Sequence, residues 1–150
     1  MKTAKLSAAV LVIAALSACR LGSMGEGRMN SIDANLGSLR HITGHAGGTP
    51  YKAWFQQMDL QLIEEGPDEG SQVRRRYYFH KNALFYFKQS NGAAIERQFF
   101  IDKHGAIRNT IPTPYPPTDL EQNRARAGEL NKAAFTRAGQ MFVFPLMRNP

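Results

Sequence analysis

Apolar and polar side chains begin to alternate just after Tyr51. Met58, Leu60 and Leu62 alternate with Gln57, Asp59 and Gln61, with Trp54 and Phe55 before them. A period of two is the spacing of a strand with one buried face. An acidic turn follows at Glu64–Gly70, and further strands are predicted near residues 72–79, 84–88, 95–101 and 106–109. Asn91-Gly92 is a strong hairpin signal between two of them. Two stretches run parallel here. Arg76-Tyr77-Tyr78-Phe79 and Arg97-Gln98-Phe99-Phe100 each lead through a polar turn into a returning aliphatic strand, Leu84 in one and Ile107 in the other. Two hairpins in succession make a meander, since short antiparallel connections join neighbours directly.

The period changes on either side of this block. Ile111-Pro112-Thr113-Pro114-Tyr115-Pro116-Pro117 is too rich in proline for a helix or a central strand. Thr118-Asp119-Leu120-Glu121 then fits a capping box, and Leu120, Ala127, Leu130 and Ala134 share a helical face with Phe135 at its edge. This helix is expected to end near Ala138, at Gly139. Met141–Phe144 reads as a last short strand. Ahead of the sheet, Ile32, Leu36 and Leu39 have helical spacing behind Ser31, while Gly44, Gly47, Gly48 and Pro50 read as chain breaks. The expected fold is therefore α+β: an antiparallel meander of five or six strands with a C-terminal helix packed on one face.

The N-terminus follows a different grammar. Lys2 and Lys5 precede an almost wholly apolar stretch from Ala8 to Ala18, and small residues then lead to Cys19, the single cysteine. Charge, apolar run and small residues are the parts of a secretory signal. The run is too short to cross a bilayer, which takes about 20 residues. Leu16-Ser17-Ala18-Cys19 resembles the lipobox of bacterial lipoproteins. The resemblance implies cleavage between Ala18 and Cys19, a diacylglyceryl thioether on the Cys19 sulfur and an acyl chain on the new amine. A thiolate is a strong enough nucleophile for that thioether. Arg20 is not the aspartate that retains such proteins in the inner membrane, so the resemblance implies the outer membrane, facing the periplasm. The expected organisation is a signal peptide over 1–18, a lipidated cysteine and flexible tether over 19–30, and one small domain over 31–150. Leu21–Asn30, with three glycines, carries the tether reading.

Composition narrows the partners. Loss of Lys2 and Lys5 with the signal lowers the formal charge from +7 to +5. About 130 residues remain, enough for one domain, and 43% hydrophobic residues are enough for a core. A periplasmic address makes nucleic acid an unsuitable partner for the basic balance. Anionic envelope polymers, lipid headgroups or an envelope protein remain, beside plain solubility. No cofactor beyond the acyl chains is expected.

Candidate chemistry is sparse. Alternation from Val73 to Phe79 points Arg75, Tyr77 and Phe79 one way and Arg74, Arg76 and Tyr78 the other. On the returning strand Phe85 and Phe87 oppose Leu84, Tyr86 and Lys88. Aromatic residues thus lie on both faces. One suits the C-terminal helix; the other is either covered by the N-terminal segment or Met141–Phe144, or is a binding face formed by Arg74, Arg76 and Tyr78. Burial favours a cover, whereas the enrichment of tyrosine and arginine at interfaces favours contact. His41 and His45 lack a third ligand placed by spacing, so no metal site is expected. Asp102 and His104 would suit an acid–base pair, but no nucleophile motif accompanies them. The functional expectation is a non-enzymatic binding or structural module of the envelope. The alternatives are an envelope hydrolase with an unrecognised site, or an inhibitor of a lysozyme-like hydrolase.

Overall fold

The computed structural model describes residues 25–67 and 70–143. Among these residues seven strands form one antiparallel sheet in sequence order: β1 (Arg40–Ala46), β2 (Thr49–Gln56), β3 (Asp59–Glu65), β4 (Val73–His80), β5 (Ala83–Asn91), β6 (Ala94–Ile101) and β7 (Ile107–Ile111). A helix α1, helical over 25–35 within the described residues, packs on one face. The long helix α2 (Pro117–Ala138) packs on the other. The α+β meander with a C-terminal helix on one face is therefore correct, and the strand count rises to seven.

The additional strands come from two turns that residue patterns obscure. Gly47 and Gly48 carry φ of +59° and +82°. Two consecutive positive φ values make the tight hairpin turn that glycine allows without strain, so these residues join β1 to β2 rather than interrupt the chain. The run from Tyr51 to Leu62 is not one strand but two. It folds back at Gln57, whose φ is +56°, leaving Met58 exposed at the tip. In β3, Leu60, Gln61, Leu62 and Ile63 are all buried. Such a strand lies between two layers and loses the alternation of a one-sided sheet.

α1 corrects the tether expectation for residues 25–30. Met29, Ile32 and Leu36 lie at helical spacing and pack on Trp54, Leu62, Tyr78, Tyr86 and Phe100. A Cβ at Gly25 would stand 3.0 Å from the Phe100 ring, so the glycine permits close docking. Its glycines made this stretch read as tether; its apolar positions fit a helix that tertiary packing stabilises. The short helix expected behind Ser31 is the second half of α1, followed by a 3₁₀ turn at Leu36–Ser38.

On α2, Ala127, Leu130, Ala134 and Ala138 form the buried stripe, and three alanines let the helix lie close to the sheet. The helix begins with Pro117 at its first turn, and no side chain caps it. The capping box of Thr118 and Glu121 is thus absent; proline's fixed φ starts the helix instead. Past Ala138 the chain continues as a π-helical turn (Gly139–Val143) where a strand was expected. Phe142 there sits edge-on to Phe55, ring centroids 6.2 Å apart, with the Arg40 guanidinium 4.0 Å above its centroid.

A bulge in the β4–β5 hairpin changes which aromatic faces where. Tyr78 pairs with Tyr86 and Phe79 with Leu84, leaving Phe85 as the extra residue. Phe85 and Tyr86 therefore both meet the α1 side, while Leu84 and Phe87 meet the α2 side. Strict alternation had grouped Phe85 with Phe87.

Candidate functional site

Tyr77 and Tyr78 are adjacent, fully buried and aimed at opposite faces. Each phenol donates to a carboxylate. On the α1 side, Tyr78 Oη donates to Asp33 Oδ1 at 3.0 Å. Arg76 Nε donates to Glu64 Oε2 at 2.7 Å, and its Nη1 lies 3.6 Å from Asp33. Arg74 Nη1 lies 3.7 Å from Glu64, with a side chain 52% exposed. So Arg74, Arg76 and Tyr78 do share a face, but they do not form an open binding surface. α1 covers Tyr78, Arg76 is committed to two carboxylates, and only Arg74 projects into solvent. The physical reason is the aromatic area: Tyr78, Tyr86 and Phe100 stack in a row, with centroids 5.2 and 4.0 Å apart. A row of that size is stabilised by being covered. Burial pushes the Tyr86 phenol up to about 12 and raises Tyr78 further.

The α2 side holds a more concentrated polar site. Cross-strand pairing places Glu65, Arg75, Gln89 and Arg97 in one row across β3 to β6. The neighbouring row is Ile63, Tyr77, Phe87 and Phe99, which is core. The apolar stripe of α2 covers the core row. Its first turns carry Asp119, Gln122, Asn123 and Arg126 over the polar row. Between them lies a cavity of about 470 Å³ lined by these residues and Tyr77.

Glu65 forms one wall and is 3% exposed. Arg126 Nε and Nη2 donate to its Oε1 at 2.9 and 2.5 Å, and Tyr77 Oη donates to its Oε2 at 3.2 Å. Arg126 Nη2 also reaches the Ala46 carbonyl at 2.7 Å, tying α2 to the end of β1. Burial and the Glu65 carboxylate raise the Tyr77 phenol far above its ordinary range, while the bond to Glu65 raises the Arg126 guanidinium. Both oxygens of the buried carboxylate are thus engaged, one by the Arg126 guanidinium and the other by a phenol whose proton burial holds in place. This wall organises the site.

The other wall has spare donors. Arg97 Nη1 is paired with Asp119. Arg75 Nε donates to Gln89 Oε1 at 3.1 Å. Among the described residues, the two Nη atoms of Arg75 have no hydrogen-bond acceptor and no carboxylate lies within ion-pair distance. A larger depression of about 1050 Å³ runs between β1, β2 and the end of α2. Of its cations, Lys132 and Arg137 are exposed, as is His45, and half-buried Lys52 sits 5.0 Å over the Trp54 ring. The smaller site differs in having buried Glu65 and Tyr77 at its floor and half-buried Arg75, Gln89 and Arg97 beside them.

The remaining candidates have structural uses. Asp102 Oδ1 accepts from the backbone N–H groups of His104 and Ala106, both at 2.9 Å. These bonds lower the Asp102 carboxyl, the one from Ala106 most. Asp102 therefore shapes a turn. His41 and His45 lie on edge strand β1, and among the described residues no three ligand-type side chains gather around a point. Ala18 and Cys19 lie outside the described residues.

Sequence reasoning missed the arginine row because the two parallel stretches align one residue further along. In the sheet, Tyr77 and Phe99 flank Phe87, so Arg75 matches Arg97 and Arg76 matches Gln98. The shared signal is an arginine two residues before an α2-facing aromatic. Comparison with family models, curated proteins and solved structures returns no match.

Proposed function

We propose that this chain is a lipid-anchored lipoprotein of the bacterial envelope, held in the outer membrane and facing the periplasm. Its folded part is a non-enzymatic module that binds another envelope component. Leu16-Ser17-Ala18-Cys19 supports the anchor. Acyl chains on Cys19 contribute about 0.8 kcal/mol per buried methylene, and two or more make anchoring stable. The helical chain is already under way at Gly25, six residues past Cys19. Six residues reach at most about 20 Å, so the domain works close to the bilayer.

The observation that carries the binding reading is the cavity under the first turns of α2. It offers spare guanidinium donors beside a carboxylate whose two oxygens are already engaged. That arrangement recognises a group rather than shuttling a proton. Growth with labelled palmitate tests the anchor: wild-type protein takes up label and Cys19→Ser does not. A labelled Cys19→Ser protein would remove the lipoprotein reading. Turnover of peptidoglycan or phospholipid by the pure protein would replace the binding module with a hydrolase.

A further inference from the structure

We infer that the row Arg75–Gln89–Arg97 is a receptor for one carboxylate group of a small ligand. This rests on the binding-module reading and names its ligand class. Neighbouring strands lie about 4.8 Å apart, so the Arg75 and Arg97 backbones stand about 10 Å apart with Gln89 between them. Both side chains line the cavity together with Gln122 and Asn123 of α2, Arg75 bonded to Gln89 and Arg97 to Asp119. Gln89 Oε1 holds Arg75 by its Nε, which leaves the paired Nη atoms toward the cavity. A guanidinium fork matches the two oxygens of a carboxylate. Arg97 keeps Asp119 on its Nη1 and closes the far side. Charge sets the ligand's valence. The lining carries Arg75, Arg97 and Arg126 against Glu65 and Asp119, an excess of one positive charge. Glu129 pairs with Arg126 and Glu96 with Gln89 from the exposed rim, and Asp119 holds Arg97, so among the described residues the guanidinium left without a carboxylate is that of Arg75. One carboxylate balances that excess; a phosphate dianion overshoots it. A cavity of about 470 Å³ has room for the carboxylate and a short side group.

The test uses the full chain in detergent micelles and three probes: N-acetylalanine, N-acetylalanine amide and inorganic phosphate. Calorimetric titration should show saturable binding of N-acetylalanine and none of the amide, which has the same shape without the charge. Arg75→Gln should weaken the carboxylate by roughly tenfold or more, the ordinary worth of a charge-assisted bond. Arg74→Gln removes the same charge one residue away on the opposite face, and should leave binding unchanged. Equal binding of acid and amide would overturn the inference, as would phosphate binding as tightly as the acid, or unchanged binding in Arg75→Gln. Should Arg75→Gln fail to fold, the acid and amide on the wild-type protein decide the matter. Palmitate uptake is unaffected by any of these outcomes, so failure here stays separate from failure of the lipoprotein reading.

Discussion

The two faces of the sheet solve the same problem with opposite assignments. Each is covered by a helix, and each has a buried tyrosine whose phenol meets a carboxylate. On the α2 face the carboxylate belongs to the sheet, Glu65, and the arginine to the helix, Arg126. On the α1 face the carboxylate belongs to the helix, Asp33, and the arginine to the sheet, Arg76. Exposure separates them. The side chains of Glu65 and Arg126 are 4% and 23% exposed; those of Asp33 and Arg76 are 30% and 28% exposed. Solvent screens the second pair far more. The α2 tie is a buried junction joining four elements, α2, β1, β3 and β4, with a polar cavity beside it. The α1 tie is a half-wet latch over an aromatic row.

Alkali should produce the largest effect, and substitution of single tyrosines assigns it to each face; Tyr51 and Tyr115 on the α2 side, also raised by burial, add to the wild-type slope. Tyr77, Tyr78 and Tyr86 all have raised values in the folded chain, Tyr86 to about 12. Above the ordinary value of 10.0, the unfolded chain loses these protons while the folded chain keeps them. Stability is therefore intact below pH 10, falls as pH rises from there, and the Tyr86 share is lost by about pH 12. The slope is about 1.4 kcal/mol per pH unit for each tyrosine. Denaturant melts from pH 9 to pH 11.5 measure it. Tyr78→Phe with Tyr86→Phe should remove two protons' worth of slope and Tyr77→Phe one; equal slopes in all variants would sink the account.

Glu65→Ala comes next. It leaves half-buried Arg126 with only exposed Glu129 and the Ala46 carbonyl, and strips the buried Tyr77 phenol of its acceptor, a cost of about 3 kcal/mol, readable as a lower denaturant midpoint. Asp33→Ala should cost less, about 1 kcal/mol, because water reaches that latch and can replace one bond. A larger loss from Asp33→Ala than from Glu65→Ala would invert the comparison. Arg74→Gln should be nearly silent, within about 0.5 kcal/mol, since its side chain is half exposed.

Much of this was legible along the chain. Alternation located the central strands, Asn91-Gly92 announced the hairpin between β5 and β6, and apolar spacing on α2 identified its buried face. Glycine content misled twice, at the start of α1 and at the β1–β2 turn, since flexible residues also serve close docking and tight turns. The arginine row was hidden for another reason. A polar residue on a strand shows which face it takes, but its neighbours across the sheet depend on register. Register here is shifted by a bulge at Phe85 and further irregularities in β2–β3, β5–β6 and β6–β7.

Local pattern by itself determined the meander from β4 to β7, the helix after it, and the fact that both faces of the aromatic hairpin demand cover. That is so because backbone periodicity depends only on near neighbours. Tertiary structure alone decided that α1 covers the Tyr78 side, that Tyr77 meets a buried ion pair, and that Arg75 and Arg97 flank one cavity. Those outcomes rest on residues far apart in sequence, brought together by sheet register and helix docking, and the energy of burial is settled only where the surfaces meet.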